Sequence, residues 1–347
     1  MKRNQLGRTG IEVSALCLGT MTFGSQTPQD DAHQQMDMSM DAGIDFWDTA
    51  EMYPVNPVSA KWQGRSEEIC GNWFEKTGRR QDVILATKHS GEGLKIVRDG
   101  AAISSETISE AIEGSLNRLK TDYIDLYQFH WPNRGSYCFR QNWSYDPSGQ
   151  SRQETVDNMN DCLEALQKEV ERGTIRAFGL SNDSAWGTSQ WLRISEDRNL
   201  PRVASVQNEY SLLHRLYDTD MAEMSVNEDV GLLAYSPLAT GLLTGKYQGG
   251  QKPDGSRITF GQNLGGRTTD RAFVATQAYL DLAKENDLDP VHMSLAWCMQ
   301  RPFMASAIFG ATNVDQLARI IEGKDLVLSP ELMMAIDQVH RNHPMPF

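Results

Sequence analysis

A chain of 347 residues is long for an average domain and ordinary for an α/β barrel with insertions. With 39% hydrophobic and 23% charged residues it can bury a large core, which sets it apart from a disordered chain. A net charge of −13 weighs against nucleic-acid and acidic-membrane partners, whose surfaces repel it, so an anionic ligand requires a local basic pocket.

The opening MKRNQLGRTG runs into polar residues without a long apolar stretch, so no secretory signal is expected, and no segment approaches the length of a membrane span. Five cysteines (Cys17, Cys70, Cys138, Cys162 and Cys298) include no C-x-x-C pair and suit reduced structural thiols, so a cytoplasmic location is expected. A hairpin over about Asn4–Val13 precedes a first barrel strand, ALCLGTM, and further strands are predicted to end near Asp48, Lys88, His130, Ser181, Gln207, Ser236 and Phe309. Between and after them, amphipathic spacing predicts helices at about 29–43, 66–78, 105–119, 154–172, 183–196, 218–227, 272–286 and 313–323, with cap signals at Ser105 and Asn313. Met36 and Met40 form a core-facing stripe on the first of these. The alternation predicts an α/β fold: a (β/α)8 TIM barrel with an N-terminal β-hairpin and long active-face loops, spanning 1–347 as a single domain.

Two stretches break the rhythm, about 131–153 and about 237–271, each after a strand end. The first holds Trp131, Tyr137, Phe139, Trp143 and Tyr145, an aromatic content that fits a lid better than disorder. Neither common phosphate motif is present. GEGLKI at 91–96 lacks the third glycine of a dinucleotide fingerprint, and TGLLTGKY has Thr240 where a P-loop needs glycine and Tyr247 after its lysine. Small and polar residues at later strand ends remain: Ser181, Asn182, Gln207, Tyr235, Ser236, Pro237, and then Gly310, Ala311 and Thr312 before a helix whose N-terminus suits an anion. Lys246, Arg257 and Arg319 are candidate cations for it, although each taken singly reads as solvated surface. His340 and His343 have H-x-x-H spacing without a carboxylate or cysteine companion, so no metal is expected.

Four polar residues at strand ends, Asp48, Tyr53, Lys88 and His130, would meet on one face if their strands are parallel members of one barrel. The segments that carry them, with LGRTGIEVSALCLGTMTFG, GIDFWDTAEMY, ATKHS, LNRLKTDYIDLYQFHWP, IRAFGLSN, VQNEYSLLHR, LAYSPLATGLLTGKY and IFGATNVDQL, resemble the aldo-keto reductase family over nearly the whole chain. The resemblance is to its Tas-like branch, which is similar to the β-subunits of voltage-gated potassium channels.

The resemblance implies NADPH/NADP+ bound in extended form across the carboxyl face without a Rossmann motif. It implies Asp48, Tyr53, Lys88 and His130 as a catalytic tetrad. Ser181, Asn182 and Gln207 match residues that hold the nicotinamide carboxamide, and Tyr235 matches the aromatic stacked on its ring. Ser236, Pro237, Leu238, Gly241 and Lys246, with Ser256 and Arg257, match the phosphate loop; Gly310, Thr312 and Gln316 match the adenosine-side turn, and Thr20 and Met21 join the cofactor set. Pro54 stands where many members have glycine, and Arg319 and Ile320 where many have glutamate and asparagine, which points Arg319 toward the 2′-phosphate.

In residue chemistry, a free tyrosine with a pKa near 10 is a weak acid at neutral pH, so Lys88 is expected to pull Tyr53 downward while Asp48 keeps Lys88 charged. His130 would orient the carbonyl oxygen, and Trp131, Tyr53 and His130 would contact the substrate, a small carbonyl compound of bulky or ring-bearing kind. The function implied is reduction of aldehydes or ketones to alcohols. The alternative is a regulatory subunit that holds NADPH and turns over slowly.

Overall fold

The computed structural model of the protein describes every residue except Asn56 and Gln262. The strands are β1 Arg3–Gln5, β2 Glu12–Ser14, β3 Leu16–Gly19, β4 Phe46–Asp48, β5 Ile84–His89, β6 Ile124–Phe129, β7 Ile175–Ser181, β8 Val203–Glu209, β9 Gly231–Tyr235 and β10 Met304–Phe309. The helices are α1 Gln29–Asp41, α2 Arg65–Thr77, α3 Ser105–Leu119, α4 Arg152–Arg172, α5 Ala185–Arg198, α6 Asp220–Glu228, the single turn α7 Arg257–Phe260, α8 Asp270–Glu285, α9 Pro290–Met299, α10 Val314–Glu322 and α11 Pro330–Asn342. Strands β3 to β10 form a closed parallel barrel in sequential order, with β10 pairing back onto β3. The predicted (β/α)8 barrel is therefore the fold, and β1 and β2 pair antiparallel as the predicted hairpin.

That hairpin seals the amino end of the barrel. Leu6, Ile11 and Val13 pack in one buried cluster with Cys17, Phe46, Ala86, Leu126 and Leu233 from the barrel strands. Because strand side chains alternate faces, the positions two residues beyond Phe46, Ala86 and Leu126 share their side and lie nearer the carboxyl end. Those positions are Asp48, Lys88 and Gln128, so apolar filling below and polar groups above come from one periodicity. The other face of each strand packs against the helical layer in the main core, with Leu18, Trp47, Leu85, Tyr127 and Phe178.

Three helices lie outside the expected set, the single turn α7 and two longer ones. Helix α9, PVHMSLAWCM, is buried nearly all round, so it lacks the polar face that makes a helix legible by period. Helix α11 starts on Pro330, which reads as a breaker but sits in the first turn, where its missing N–H costs nothing, behind the Ser329 cap. The cap of α3 is Ser104, one residue before the predicted Ser105, and its N–H is held by Thr107 Oγ1 at 3.0 Å. The stretch 237–271 is not featureless: it contains 3-10 turns at 239–244 and 248–250 and the short α7. Among the described residues no helix is long and apolar enough to cross a membrane.

Candidate active site

Lys88 is the hinge of the site. Its Nζ, buried, donates to Asp48 Oδ2 at 2.6 Å, to the carbonyl oxygen of Thr49 at 2.7 Å and to Tyr53 Oη at 3.2 Å. Asp48 is placed by the end of β4, Lys88 by the neighbouring β5, and Tyr53 by the short turn that follows β4. His130 follows β6 directly, and its ring lies 5.7 Å from that of Tyr53. All four sequence-predicted catalytic residues thus share one end of one barrel.

Burial and charge decide their protonation. Burial pushes the Lys88 ammonium toward neutrality, but Asp48 and Tyr53 overcome it and hold its pKa above the ordinary lysine value. For Tyr53, burial raises the pKa, Lys88 opposes it and Asp48 adds to it, and the net direction is upward. The expectation that Lys88 brings the phenol below its ordinary value is therefore corrected: the phenol stays protonated, and Lys88 limits the rise without reversing it. Burial, reinforced by repulsion from Lys88, pushes His130 well below the usual histidine range, so the imidazole is neutral. Among the described residues its buried Nδ1 has no hydrogen-bond partner.

Gln128 escaped the sequence reading. Its Nε2 donates to Asp48 Oδ1 at 3.1 Å, and Gln207 Nε2 donates to the same oxygen at 2.8 Å and to Gln128 Oε1 at 3.2 Å. The signal was present: in DLYQFH, Gln128 stands two residues before His130 and pairs in register with Lys88. Asn182, in a left-handed backbone conformation that asparagine tolerates, donates from Nδ2 to His130 O at 2.9 Å and to Ser181 Oγ at 3.1 Å, and accepts from Tyr235 Oη at 2.8 Å. Ser181 Oγ in turn donates to Gln207 O at 2.9 Å.

From this end a cleft of about 540 Å³ runs across the barrel face. Its lining includes Met21, Ser181, Asn182, Gln207, Tyr235, Ser236, Pro237, Leu238, Gly241, Lys246, Arg257, Gly310, Thr312, Gln316 and Arg319, besides Asp48, Tyr53, His130 and Trp131. Thr20 is the exception among the predicted cofactor residues: it is fully buried behind the wall, where Oγ1 donates to Asp48 O at 3.1 Å, and the predicted catalytic Lys88 is likewise buried behind the lining. Arg319 lines the far end but is engaged there by Asp289, with Nε to Oδ2 at 2.7 Å and Nη2 to Oδ1 at 3.0 Å. Thr312 N donates to Gln316 Oε1 at 3.1 Å, so this amide of the anion-binding turn is already held by a side chain.

The cleft lining carries both cationic and apolar groups. Arg257 is pushed down to about 10 by burial and by repulsion from Arg267 and Arg140, two further guanidinium groups in the lining. Burial and Arg319 lower Lys246 in the same way. Such a concentration of positive charge in a protein of net charge −13 suits phosphates, and the polar atoms of Ser181, Asn182 and Gln207 beside the Tyr235 ring suit a nicotinamide. Packed with Tyr53 are Met21, Met52, Val55 and Trp131, and Phe139 lies edge-on to Trp131. Trp131 is fixed by Nε1 donating to Glu92 O at 3.1 Å and by close contact with Gly91, where any Cβ would fall 2.3 Å from the indole. His89, next to Lys88, turns away to Ser90 O and Thr107 Oγ1 and takes no place in the cleft.

A parallel barrel closed by β10 on β3, with a buried lysine joining aspartate and tyrosine beside a neutral histidine, defines an oxidoreductase class; the chain belongs to the aldo/keto reductase family, whose model matches residues 15–341. Aldo-keto reductases act on small carbonyl substrates. Among its relatives is Protein tas of Escherichia coli K12, 41% identical over 350 residues that cover 100% of this chain and 99% of that protein. An oxidoreductase of Bacillus subtilis, YrpG, is 33% identical over 98% of this chain and 96% of its own. A protein of Oryza sativa named "Probable voltage-gated potassium channel subunit beta" is 28% identical over 99% of this chain and 98% of its own.

Proposed function

We propose that the protein is an NADPH-dependent reductase of aldehydes and ketones with Tyr53 as proton donor. The observation that carries this is the buried Lys88 Nζ, within hydrogen-bond distance of both Asp48 and Tyr53, beside a cleft whose lining also carries Lys246 and Arg257. Ser181, Asn182 and Gln207 would hold the nicotinamide carboxamide and Tyr235 its ring. Ser236, Pro237, Leu238, Gly241, Lys246 and Arg257 would hold the phosphates, and Gly310, Thr312, Gln316 and Arg319 the remainder toward the adenosine end, while Met21, packed with Tyr53, would meet the cofactor near the reacting end. When bound, the reduced nicotinamide supplies the hydride, which no side chain can provide.

The protein residues manage the oxygen. Neutral His130 donates a hydrogen bond to the substrate carbonyl and fixes its direction. As negative charge develops on that oxygen, Tyr53 Oη gives up its proton and Lys88 Nζ stabilises the phenolate left behind. Asp48 keeps Lys88 charged throughout, and Gln128 and Gln207 keep Asp48 oriented. Met52, Val55, Trp131 and Phe139 favour a carbonyl carried on an apolar, ring-bearing body. Five unpaired buried cysteines support a cytoplasmic location.

The test is a panel of aldehydes and ketones assayed with NADPH and with NADH. Multiple turnovers, fastest with aromatic aldehydes, and a preference for NADPH of roughly ten- to a hundredfold are expected, the latter from one charge-assisted contact to the 2′-phosphate. Equal use of the two cofactors contradicts the phosphate assignment. A single turnover without recycling favours instead a nucleotide-holding regulatory subunit, in line with the channel-subunit name that the Oryza sativa relative carries.

A further inference from the structure

Two arginines outside the predicted site meet on one buried carboxylate. Glu209, the last residue of β8, accepts from Arg140 Nη1 at 2.9 Å and from Arg267 Nε at 2.7 Å. Arg140 belongs to the long loop after β6 and Arg267 to the long loop after β9, and both side chains line the cleft. The two loops are therefore joined across the active face by three side chains. Gly265 leaves room for both guanidinium groups: a Cβ there would lie 3.1 Å from Arg140 Nη2 and 3.2 Å from Arg267 Nη1, and the φ of +69° is one that glycine adopts without strain.

Arg267 is held from behind as well. Its Nη1 donates to Leu264 O at 2.7 Å, and its guanidinium carbon lies 5.9 Å from the centre of the Phe347 ring, which stacks on His214 at 5.8 Å. Burial raises the pKa of Glu209, but Arg267, His214 and Arg140 overcome that and hold it below the ordinary value, so the carboxylate stays charged. With Arg257 nearby, one carboxylate faces three guanidinium groups, and the cluster keeps positive charge toward the cleft.

We propose that Glu209 is a positioning residue which, through Arg140 and Arg267, holds the two active-face loops against each other over the cleft and so sets how long a bound nicotinamide dinucleotide stays. This rests on the cleft being a dinucleotide site. Removing either arm of the tie frees a loop and leaves a buried charge short of a partner, which shortens residence without altering Tyr53, Lys88, Asp48 or His130.

The experiment uses the full chain carrying Arg140→Ala, Glu209→Gln, or both. It measures NADPH release by stopped-flow fluorescence, and hydrogen exchange over residues 131–153 with and without NADPH. Release about tenfold faster is expected in each single variant, on the scale of one charge-assisted hydrogen bond. The double variant should be no faster than the faster single one, because both substitutions break the same tie. Exchange in 131–153 should speed up in Arg140→Ala even without nucleotide, which loss of a direct phosphate contact would not cause. Effects that multiply in the double variant, or loop exchange unchanged in Arg140→Ala, overturn the proposal. If Glu209→Gln does not fold, the exchange result for Arg140→Ala decides alone. If the wild-type protein binds no NADPH, the functional assignment fails instead, and the exchange measured without nucleotide still decides the tie.

Discussion

Burial alone would strip the proton from Lys88 and lock it onto Tyr53; the paired carboxylate of Asp48 prevents the first and leaves the second as useful chemistry. A phenol that is protonated across the physiological range is an acid waiting for a base, and in the proposed reaction the developing alkoxide of a reduced carbonyl is that base. His89, one residue on, shows the opposite outcome. Burial pushes it down to about 4, against the attraction of Glu51, and Arg98 adds to the fall. On acidification the unfolded chain takes up this proton near pH 6.5 while the folded chain resists until near pH 4, so His89 withdraws stability as pH falls through that window. Between about pH 7 and about pH 5 the loss from this one residue is on the order of 2 kcal/mol. Urea unfolding of the wild type and His89→Gln at the two pH values should show the variant losing less by about that amount. An identical loss in both would contradict the assignment.

At the scale of elements, the strands were the most legible part, because short β-branched and aliphatic runs ending on polar residues mark both the barrel and its active face. Asp48, Lys88 and Ser181 fall within strand ends, and His130 directly after one. What sequence could not supply was partnership. Arg319 reads as a free cation, yet it is held by Asp289, which also caps α9 by accepting from Val291 N at 2.7 Å. Tyr53 and Lys88 were visible as neighbours, but the sign of the tyrosine shift depends on how much burial outweighs one ammonium, which only the folded surroundings fix. Arg140, Glu209 and Arg267 stayed hidden because no local pattern marks a polar side chain whose partners come from other strands and loops; Gln128 had its strand spacing from His130 as a signal, but not its partners. The Asp289 cap gives a prediction at this scale. Asp289→Ala removes a cap and half of a partly exposed ion pair, and should cost about 1 kcal/mol in denaturant unfolding. No change in midpoint would show that α9 is held by its buried apolar surface alone.

For the molecule as a whole, barrel closure turns sequence separation into contact: Asp48 and Gln207 lie 159 positions apart and are joined at 2.8 Å. The same closure gathers Lys246, Arg257, Arg267 and the apolar Met52, Val55 and Trp131 into one cleft of an otherwise acidic protein, so the proposed affinity for an anionic cofactor is local and not a property of net charge. The central claim is that proton delivery from Tyr53, tuned by Lys88, completes carbonyl reduction. Its most direct test is steady-state oxidation of NADPH with the best aldehyde of the panel, comparing the wild type with Tyr53→Phe while NADPH affinity is measured on both. Turnover falling by roughly two to four orders of magnitude with affinity retained is the predicted result. Turnover unchanged in Tyr53→Phe would contradict the account.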